Sequence, residues 1–236
     1  MTLLAIWALF LGAARAGAPP GSEAVAGFEG SAKSGYGFAS FTSPSFESQA
    51  TLVARLTTSY LYYAYPGALS EMRVQSPGIG VAAGVRWRPA RASLTAVVGY
   101  EARYIVELDP EENLRAHADH GVSLAADVYL QATPRVALAA SGYYGFAQDY
   151  LWCRALAKHR LFPWEGSSVA TLWLGLDGTV RGNDTVRGLD AGVLIEGTLP
   201  AHHLSIGLHL GLGREVQAGA DDGLVPSLGI SVYKSF

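Results

Sequence analysis

Four side chains in one short run of the sequence are of the types that hydrolytic enzymes use. They are His117, Asp119, His120 and Ser123. A serine hydrolase needs a nucleophile, an imidazole base and an orienting carboxylate or amide. No motif ties Ser123 to nucleophilic catalysis, because Asp119 and Ser123 are only neighbours along the chain. A solvated loop explains the run better, so the sequence predicts no catalytic residue.

A metal site is not indicated either. His117 and His120 are three residues apart in a polar segment, and no third ligand of obvious identity follows them. The single Cys153 excludes an internal disulfide and a multi-cysteine metal site. His202 and His203 lie in a predicted turn on the other side of the membrane from the surface lipid. We therefore predict no metal and no other cofactor.

The elements that must position the polar residues are long alternating strands. In residues 93–108, S-L-T-A-V-V-G-Y-E-A-R-Y-I-V-E-L, every even position is apolar or aromatic, and every charge is at an odd position. Successive side chains of a strand point to opposite faces, so one face is apolar and the other polar. Sixteen residues are about three times the usual strand length. Such strands are typical of a membrane barrel, which has lipid outside and a polar lumen inside.

The same alternation recurs along the chain and predicts an all-β fold. We expect an antiparallel transmembrane β-barrel of about twelve strands, or ten if the first two short segments do not form a separate hairpin. The short turns T-S-P-S, R-P-A-R, T-P-R and L-P-A-H follow strands 2, 4, 6 and 10, which makes them periplasmic if the N-terminus is periplasmic. Polar segments 109–120 and 215–223 are predicted to be longer external loops. Short periplasmic turns and longer external loops are the outer-membrane pattern.

Twelve ionisable side chains fall on the predicted lumen face of these strands. Two interpretations are open: a polar conduit or binding surface, or a salt-bridge network that fills the lumen. The second is favoured, since an unpaired charge inside a barrel is costly. The twelve are Arg55, Arg86, Glu101, Arg103, Glu107, Asp127, Arg154, Lys158, Asp177, Asp190, Glu196 and His209.

Aromatic residues concentrate at the external ends of the seventh and eighth strands. Interfacial girdles of Tyr and Trp are expected at that depth. Aromatic rings also stack on sugar faces, so a glycan-binding platform is the alternative. The residues concerned are Tyr143, Tyr144, Tyr150 and Trp152.

Composition and the termini bound the cellular location. The net charge of −3 without a basic stripe argues against nucleic-acid binding, and no apolar run of about 18 residues follows the N-terminal segment. Residues 2–12 are apolar and lead to Ala14 and Ala16, which predicts a signal peptide over residues 1–16, cleaved after Ala16, and a barrel over residues 17–236. The final Phe236 resembles the recognition signal of outer-membrane barrels, although Lys234 departs from it. These features predict export to the bacterial outer membrane.

Several stretches taken together resemble one bacterial family, the cellulose biosynthesis protein BcsS. They are Y-E-A-R-Y (100–104), A-D-V-Y-L-Q-A-T-P (126–134), S-G-Y-Y-G-F-A-Q-D-Y-L-W-C-R (141–154) and R-G-N-D-T-V-R-G-L-D-A-G (181–192). The resemblance implies an outer-membrane protein that works beside a cellulose synthase and export machine. No catalytic residues are carried over from it.

The expected function is therefore a non-enzymatic barrel accessory to cellulose biosynthesis and secretion. The alternatives are a porin-like channel and an outer-membrane lipid or glycan hydrolase. The expected partners are outer-membrane lipid and lipopolysaccharide, and the resemblance adds cellulose or the cellulose synthase export complex.

Overall fold

The structure is a computed structural model, which describes residues 21–31, 34–44, 50–66, 71–108, 114–163, 171–183, 186–217 and 220–236. The expected signal peptide, residues 1–16, lies outside these ranges. Within them, no helix is long and apolar enough to cross a membrane. One turn of 3-10 helix, Pro200–His202, connects two strands.

In the described ranges, twelve antiparallel strands form a closed barrel, in which each strand pairs with the next and the last pairs with the first. This confirms the predicted fold and the count of twelve rather than ten. The strands are β1 (Glu23–Gly30), β2 (Ser34–Pro44), β3 (Ala50–Pro66), β4 (Glu71–Trp87), β5 (Ala92–Leu108), β6 (Leu114–Thr133), β7 (Val136–Gly145), β8 (Tyr150–Pro163), β9 (Thr171–Gly182), β10 (Val186–Leu199), β11 (Leu204–Gln217) and β12 (Ala220–Ser235).

The alternation in the sequence becomes an inner and an outer face of the barrel. In β5, Glu101 and Arg103 are buried toward the lumen, whereas Val98 is 59% exposed and Tyr104 is 53% exposed on the outside. Burying so much apolar surface in water-free surroundings would be favourable by about 25 cal/mol per Å². The exposed outer band is therefore the surface that suits lipid.

The barrel closes where β1 meets β12, with Glu23 opposite Ser235 and Gly30 opposite Leu228. Beyond these strands, the Gly21 amide donates to the Phe236 carbonyl (2.8 Å) and the Phe236 amide donates to the Ser22 carbonyl (3.0 Å). We call this edge of the barrel, where both termini lie, the terminal end, and the opposite edge the far end. The β1–β12 pairing is called the seam.

Two predicted external loops are in large part strand. β6 begins at Leu114, directly opposite Leu108 of β5, so only residues 109–113 separate them. Likewise β11 continues to Gln217 and β12 begins at Ala220. The prediction was wrong because polar residues were taken to mark loops. A strand whose inner face borders a polar lumen carries such residues while its backbone hydrogen bonds continue.

Candidate functional site: a divided lumen

Aromatic rings from opposite walls meet in the far half of the lumen. Tyr36 of β2 packs against Tyr150 and Trp152 of β8, with ring centroids 6.1 and 6.2 Å apart. Leu61 completes this cluster of buried side chains. Because β2 and β8 stand on opposite sides of a twelve-stranded barrel, these contacts cross the lumen rather than follow its wall. We call the four residues the aromatic plug.

A second cross-lumen contact lies beside the plug. The Arg181 Nη2 group of β9 donates to Glu215 Oε1 of β11 (2.9 Å) and to Ser34 Oγ of β2 (3.2 Å). Ser34 also donates to Glu215, and Arg181 Nη1 lies 3.5 Å from Glu29 Oε1 of β1. All four residues are buried. They form a charged network in the part of the far half that the aromatic rings do not fill.

A group of five side chains, which shares Glu29 with this network, gathers at the seam and is called the seam cluster. His209 lies between two carboxylates, with Nδ1 2.6 Å from Asp177 Oδ1 and Nε2 3.1 Å from Asp190 Oδ1. Ser227 donates to Asp190 Oδ1 (2.7 Å), and Glu29 accepts from Thr179 (3.3 Å). The five members are Asp177, Asp190, His209, Ser227 and Glu29, all of them buried.

A fourth group marks the middle of the barrel. Glu101 lies 3.4 Å from Arg103 Nε and accepts a hydrogen bond from the Tyr143 hydroxyl. Arg103 donates to the backbone carbonyl of Ser76 (3.5 Å). These polar side chains lie at the boundary between the far half and the terminal half of the lumen.

On the terminal side of this boundary, the lumen is a cavity of about 940 Å³. It extends from the aromatic plug, at Tyr36, and from Arg103 in mid-barrel to Gly21, Pro200 and Phe236 at the terminal end. Several aromatic side chains line it among the polar ones, including Trp152 and Trp173. A concave site with aromatic walls and a few converging polar groups is the usual form of a ligand-binding site.

Ion pairs in the terminal half run along the wall and leave the centre open. Arg55 of β3 binds Asp127 of β6 (2.6 Å), and Lys158 of β8 binds Glu196 of β10 (2.6 Å). Lys158 and Arg160 both lie over the Trp173 ring, 5.1 and 5.2 Å from its centroid.

Glu23 holds the mouth of the cavity together. It binds Arg86 Nη2 (2.6 Å) and Arg88, and it accepts a hydrogen bond from the Tyr233 hydroxyl (3.0 Å). Among the described residues, six cationic side chains line the cavity against four side-chain carboxylates, an excess of two positive charges. They are Arg55, Arg86, Arg88, Arg103, Lys158 and Arg160, against Glu23, Glu101, Asp127 and Glu196.

All twelve ionisable residues that the sequence assigned to the lumen are at inward-facing strand positions. The structure divides them into separate groups: Asp177, Asp190 and His209 with Arg154 at the seam, Glu101 and Arg103 in the middle, and the remaining pairs around the cavity. Arg154 donates to Asp177 (Nε–Oδ2 2.9 Å). Glu107 lies further toward the far end on the inner face of β5 and is half-buried.

The aromatic residues of β7 and β8 do not form one surface. Tyr143, Tyr150 and Trp152 face the lumen, and the last two are buried in the plug. Tyr144 faces outward and packs edge-on against Phe146 (4.8 Å). The girdle interpretation is therefore wrong for the three inward rings. Alternate residues of a strand share a face, so Tyr150 and Trp152 lie on one face of β8 and Leu151 and Cys153 on the other. Cys153 is exposed on the outside, which places Tyr150 and Trp152 inside.

The histidines weighed for hydrolytic or metal chemistry lie in strand β6, not in a loop. Positions three apart in a strand point to opposite faces, so His117 and His120 cannot share a metal ion. His120 faces outward, where its Nδ1 lies 2.5 Å from the Tyr100 hydroxyl.

Another trio has the order of a hydrolase triad. Asp177, His209 and Ser227 bring together a carboxylate, an imidazole and a hydroxyl, with His209 Nε2 3.3 Å from Ser227 Oγ. However, Ser227 donates its proton to Asp190, is 6% exposed and lies outside the lining of the large cavity. A nucleophile must reach its substrate, and this hydroxyl is enclosed by barrel side chains.

The sequence missed several residues on which the lumen depends. Glu215 was assigned to an external loop, and Arg181, Glu23 and Glu29 were not assigned to the lumen. Each of the four continues the inward parity of its strand. In β11, for example, Glu215 follows His209, Gly211 and Gly213 at alternate positions, which was the available signal.

The barrel fold is found in solved structures with little sequence identity. The β domain of the Bordetella autotransporter BrkA has a TM-score of 0.51 at 12% identity, over 92% of this chain and 99% of that one. An outer membrane channel from Pseudomonas putida F1 has a TM-score of 0.49 at 13% identity, over 92% and 96%. LpxR from Salmonella typhimurium has 0.49 at 9% identity, over 91% and 100%. The first similarity supports the fold alone, and the lower scores add nothing to it.

Family membership comes from the sequence itself. No curated protein matches the chain significantly. The family described as cellulose biosynthesis protein BcsS matches residues 14–229, which is most of the chain and includes every strand of the barrel except the last part of β12. This agrees with the motifs of β5 to β10. The chain therefore belongs to the cellulose biosynthesis protein BcsS family.

Proposed function

We propose that this protein is a non-enzymatic outer-membrane barrel that assists cellulose biosynthesis by binding, with the terminal-half cavity as its binding site. The ligand of that cavity is a segment of the glucan chain. The observation that carries the proposal is the divided lumen of a BcsS-family barrel. A cavity of about 940 Å³ is large enough for a ligand, while the far half is packed with side chains.

The lining of the cavity supports a sugar as ligand. Tyr129 and Tyr143, which line the cavity and are not buried, supply aromatic surface, and charged pairs such as Lys158–Glu196 supply donors and acceptors. Apolar ring faces of glucose stack on aromatic side chains while the hydroxyl groups need hydrogen bonds. A lining of both aromatic and charged side chains therefore suits a sugar better than a wholly charged lining would.

A porin-like channel is less well supported. A conducting lumen needs a continuous water-filled path, whereas rings of β2 and β8 are in contact across the far half. Surface anchoring or guidance of the polymer fits a closed barrel better than passage of the polymer through it.

A lipid or glycan hydrolase is the other alternative. His117 and His120 are on opposite faces of β6, and the trio of Asp177, His209 and Ser227 is enclosed. These observations favour a binding role over hydrolysis.

Location and orientation belong to the same proposal. The outward apolar residues, such as Leu176 at 68% exposure, would contact outer-membrane lipid and lipopolysaccharide. The terminal end would face the periplasm, because short turns are periplasmic in such barrels. Residues 1–16 would direct export and would be cleaved from the exported chain. Fractionation of cells and N-terminal sequencing of the mature protein test this; a mature chain that begins at Gly17 is the expected result.

The experiment on function is cellulose output in a strain deleted for this chain and complemented with variants. Ser141→Trp places a large side chain in the cavity, and Ala140→Trp places the same side chain on the lipid face one residue away. We expect the deletion to lower surface cellulose, Ala140→Trp to restore it and Ser141→Trp to fail. Heat-modifiable migration in unboiled gels checks that both variants fold.

Direct binding separates the ligand from the phenotype. Purified wild-type barrel and Ala140→Trp are expected to bind cellohexaose by calorimetry, and Ser141→Trp to lose binding. Unchanged cellulose in the deletion strain would overturn the accessory role. If the deletion lowers surface cellulose but the purified barrel does not bind cellohexaose, the glucan is not the ligand. The ligand would then be a segment of the export machine.

A further inference from the structure

One side chain from each of five consecutive strands meets at the seam. β9, β10, β11, β12 and β1 contribute, in that order, Asp177, Asp190, His209, Ser227 and Glu29. We propose that the seam cluster binds a divalent transition-metal ion, with His209, Asp190 and Glu29 as ligands. The proposal is independent of the cellulose-related function.

The three ligands already converge. One ligand atom from each of His209, Asp190 and Glu29 lies within 4.8 Å of the other two. Zinc–ligand distances are about 2.0–2.2 Å, so small side-chain rotations would close the site around an ion. The three side chains come from strands that are not all neighbours, because β12 separates β1 from β11.

His209 is oriented as metal-binding histidines are. Its Nδ1 is held by Asp177 (2.6 Å), which is itself ion-paired with Arg154. Its Nε2 is thereby directed toward Asp190. A carboxylate that binds one ring nitrogen fixes the other nitrogen for a metal ion, and this arrangement is common in metalloproteins.

The charges around the cluster are unbalanced without a cation. Among the residues that the structure describes, Asp177, Asp190, Glu29 and the neighbouring Glu215 are four buried carboxylates that face two guanidinium groups, those of Arg154 and Arg181. The excess is two negative charges while His209 is neutral. Buried charge without compensation is costly. A proton on His209 would compensate one charge, whereas a divalent ion compensates both.

Three buried carboxylate oxygens of the described residues remain without a hydrogen bond in this region: Glu215 Oε2 and one oxygen on each of the two proposed carboxylate ligands. The latter two are Asp190 Oδ2 and Glu29 Oε1, and Glu29 Oε1 has only the 3.5 Å contact with Arg181. Asp190 and Glu29 are both more than nine-tenths buried. Buried carboxylate oxygens normally have partners, and a metal ion between the ligands supplies one for Asp190 and for Glu29.

Glycines leave room for the polar side chains of the cluster. Gly192 and Gly211 are paired between Asp177 and Ser227, and the His209 ring occupies the gap. A Cβ added at Gly211 would lie 2.6 Å from His209 Nε2, and one at Gly213 would lie 2.6 Å from Asp190 Oδ2. Side chains at these positions would crowd the proposed ion.

The donor set defines the class of ion. One imidazole and two carboxylates suit zinc or manganese, whereas calcium takes oxygen ligands almost exclusively. Because the cluster is buried and does not line the large cavity, the ion would be structural. It would tie β1 to β10 and β11 across the seam.

The test is zinc binding by the full-length folded barrel in detergent, purified with a tag that lacks histidine. After dialysis against ZnCl₂ and then buffer, elemental analysis is expected to give one zinc ion per barrel, and zinc should raise the midpoint of thermal unfolding. Glu29→Gln and Asp190→Asn are expected to abolish both effects. Asp177→Asn, which removes the partner of Nδ1, should weaken zinc binding about 10–100-fold.

Glu196→Gln is the matched control, because this carboxylate also faces the lumen and has a cationic partner but lies in the cavity. It should bind zinc as the wild type does. Folded wild-type barrel that retains no zinc overturns the proposal without any variant. Zinc uptake that survives both Glu29→Gln and Asp190→Asn also overturns it, since exposed histidines such as His202 and His203 would then be the site.

Discussion

The two halves of the lumen contain the same kinds of residues but connect them differently. In the far half, Tyr36 reaches Trp152, and Arg181 reaches Ser34, on opposite walls. In the terminal half, Arg55–Asp127 and Lys158–Glu196 span only two or three strands of one wall. Composition alone therefore does not decide whether a barrel is filled. A barrel is filled where long side chains on opposite walls lie at the same depth and come into contact.

This difference has an energetic side. A charged pair enclosed among other side chains loses its water and depends on its partner. A pair on the wall of an open cavity keeps part of its hydration and depends on its partner less. The following predictions compare matched residues of the two halves.

The largest expected effect is the loss of Arg181. Arg181→Met leaves Glu29 and Glu215 buried with less compensation, so we expect a loss of stability of about 3–5 kcal/mol. Arg55→Met in the cavity should cost less than about 1 kcal/mol, because its partner Asp127 is 42% exposed. The measurement is urea unfolding of the refolded barrel, followed by tryptophan fluorescence. Equal losses for the two variants would contradict the distinction between the halves.

A difference in solvent access is the second prediction. In a Cys153→Ala background, Ser40→Cys in the cavity should react readily with a water-soluble maleimide. Ser76→Cys, at a position that is fully buried in the far half, should react at least about tenfold more slowly, because labelling there requires local opening. Similar rates at both positions would mean that water fills the far half.

The smallest expected effect concerns a wall pair. A double-mutant cycle with Arg55→Met and Asp127→Leu should give a coupling of less than about 1 kcal/mol, since the Asp127 side chain is 42% exposed. A coupling of several kcal/mol would show that the cavity is as dry as the far half.

The barrel could be predicted from the sequence because its main signal is local. Alternation over residues 93–108 determined the two faces of β5, and the short turns determined the order of strand ends. The boundaries at Leu114 and Gln217 were missed for a physical reason. A polar lumen permits polar residues on the inner face of a strand, so polarity does not separate strand from loop at the far end.

The seam cluster could not be predicted in the same way. His209 was assigned to the lumen, but its position between Asp177 and Asp190 depends on the register of three strands. The small residues Gly192 and Gly211 are meaningful only once they are known to be paired. Inward parity alone would have recovered Arg181 and Glu215, but not their contact with Ser34 across the barrel.

The most direct test of the divided lumen is ion conductance of the wild-type barrel and of Tyr36→Ala/Trp152→Ala in planar bilayers. We expect no steady conductance for the wild type and for Trp173→Ala, which alters only the cavity wall, and channel openings for the plug variant. Steady open-channel currents from the wild type would contradict the account, because the far half would then conduct and the porin-like function would replace the binding role.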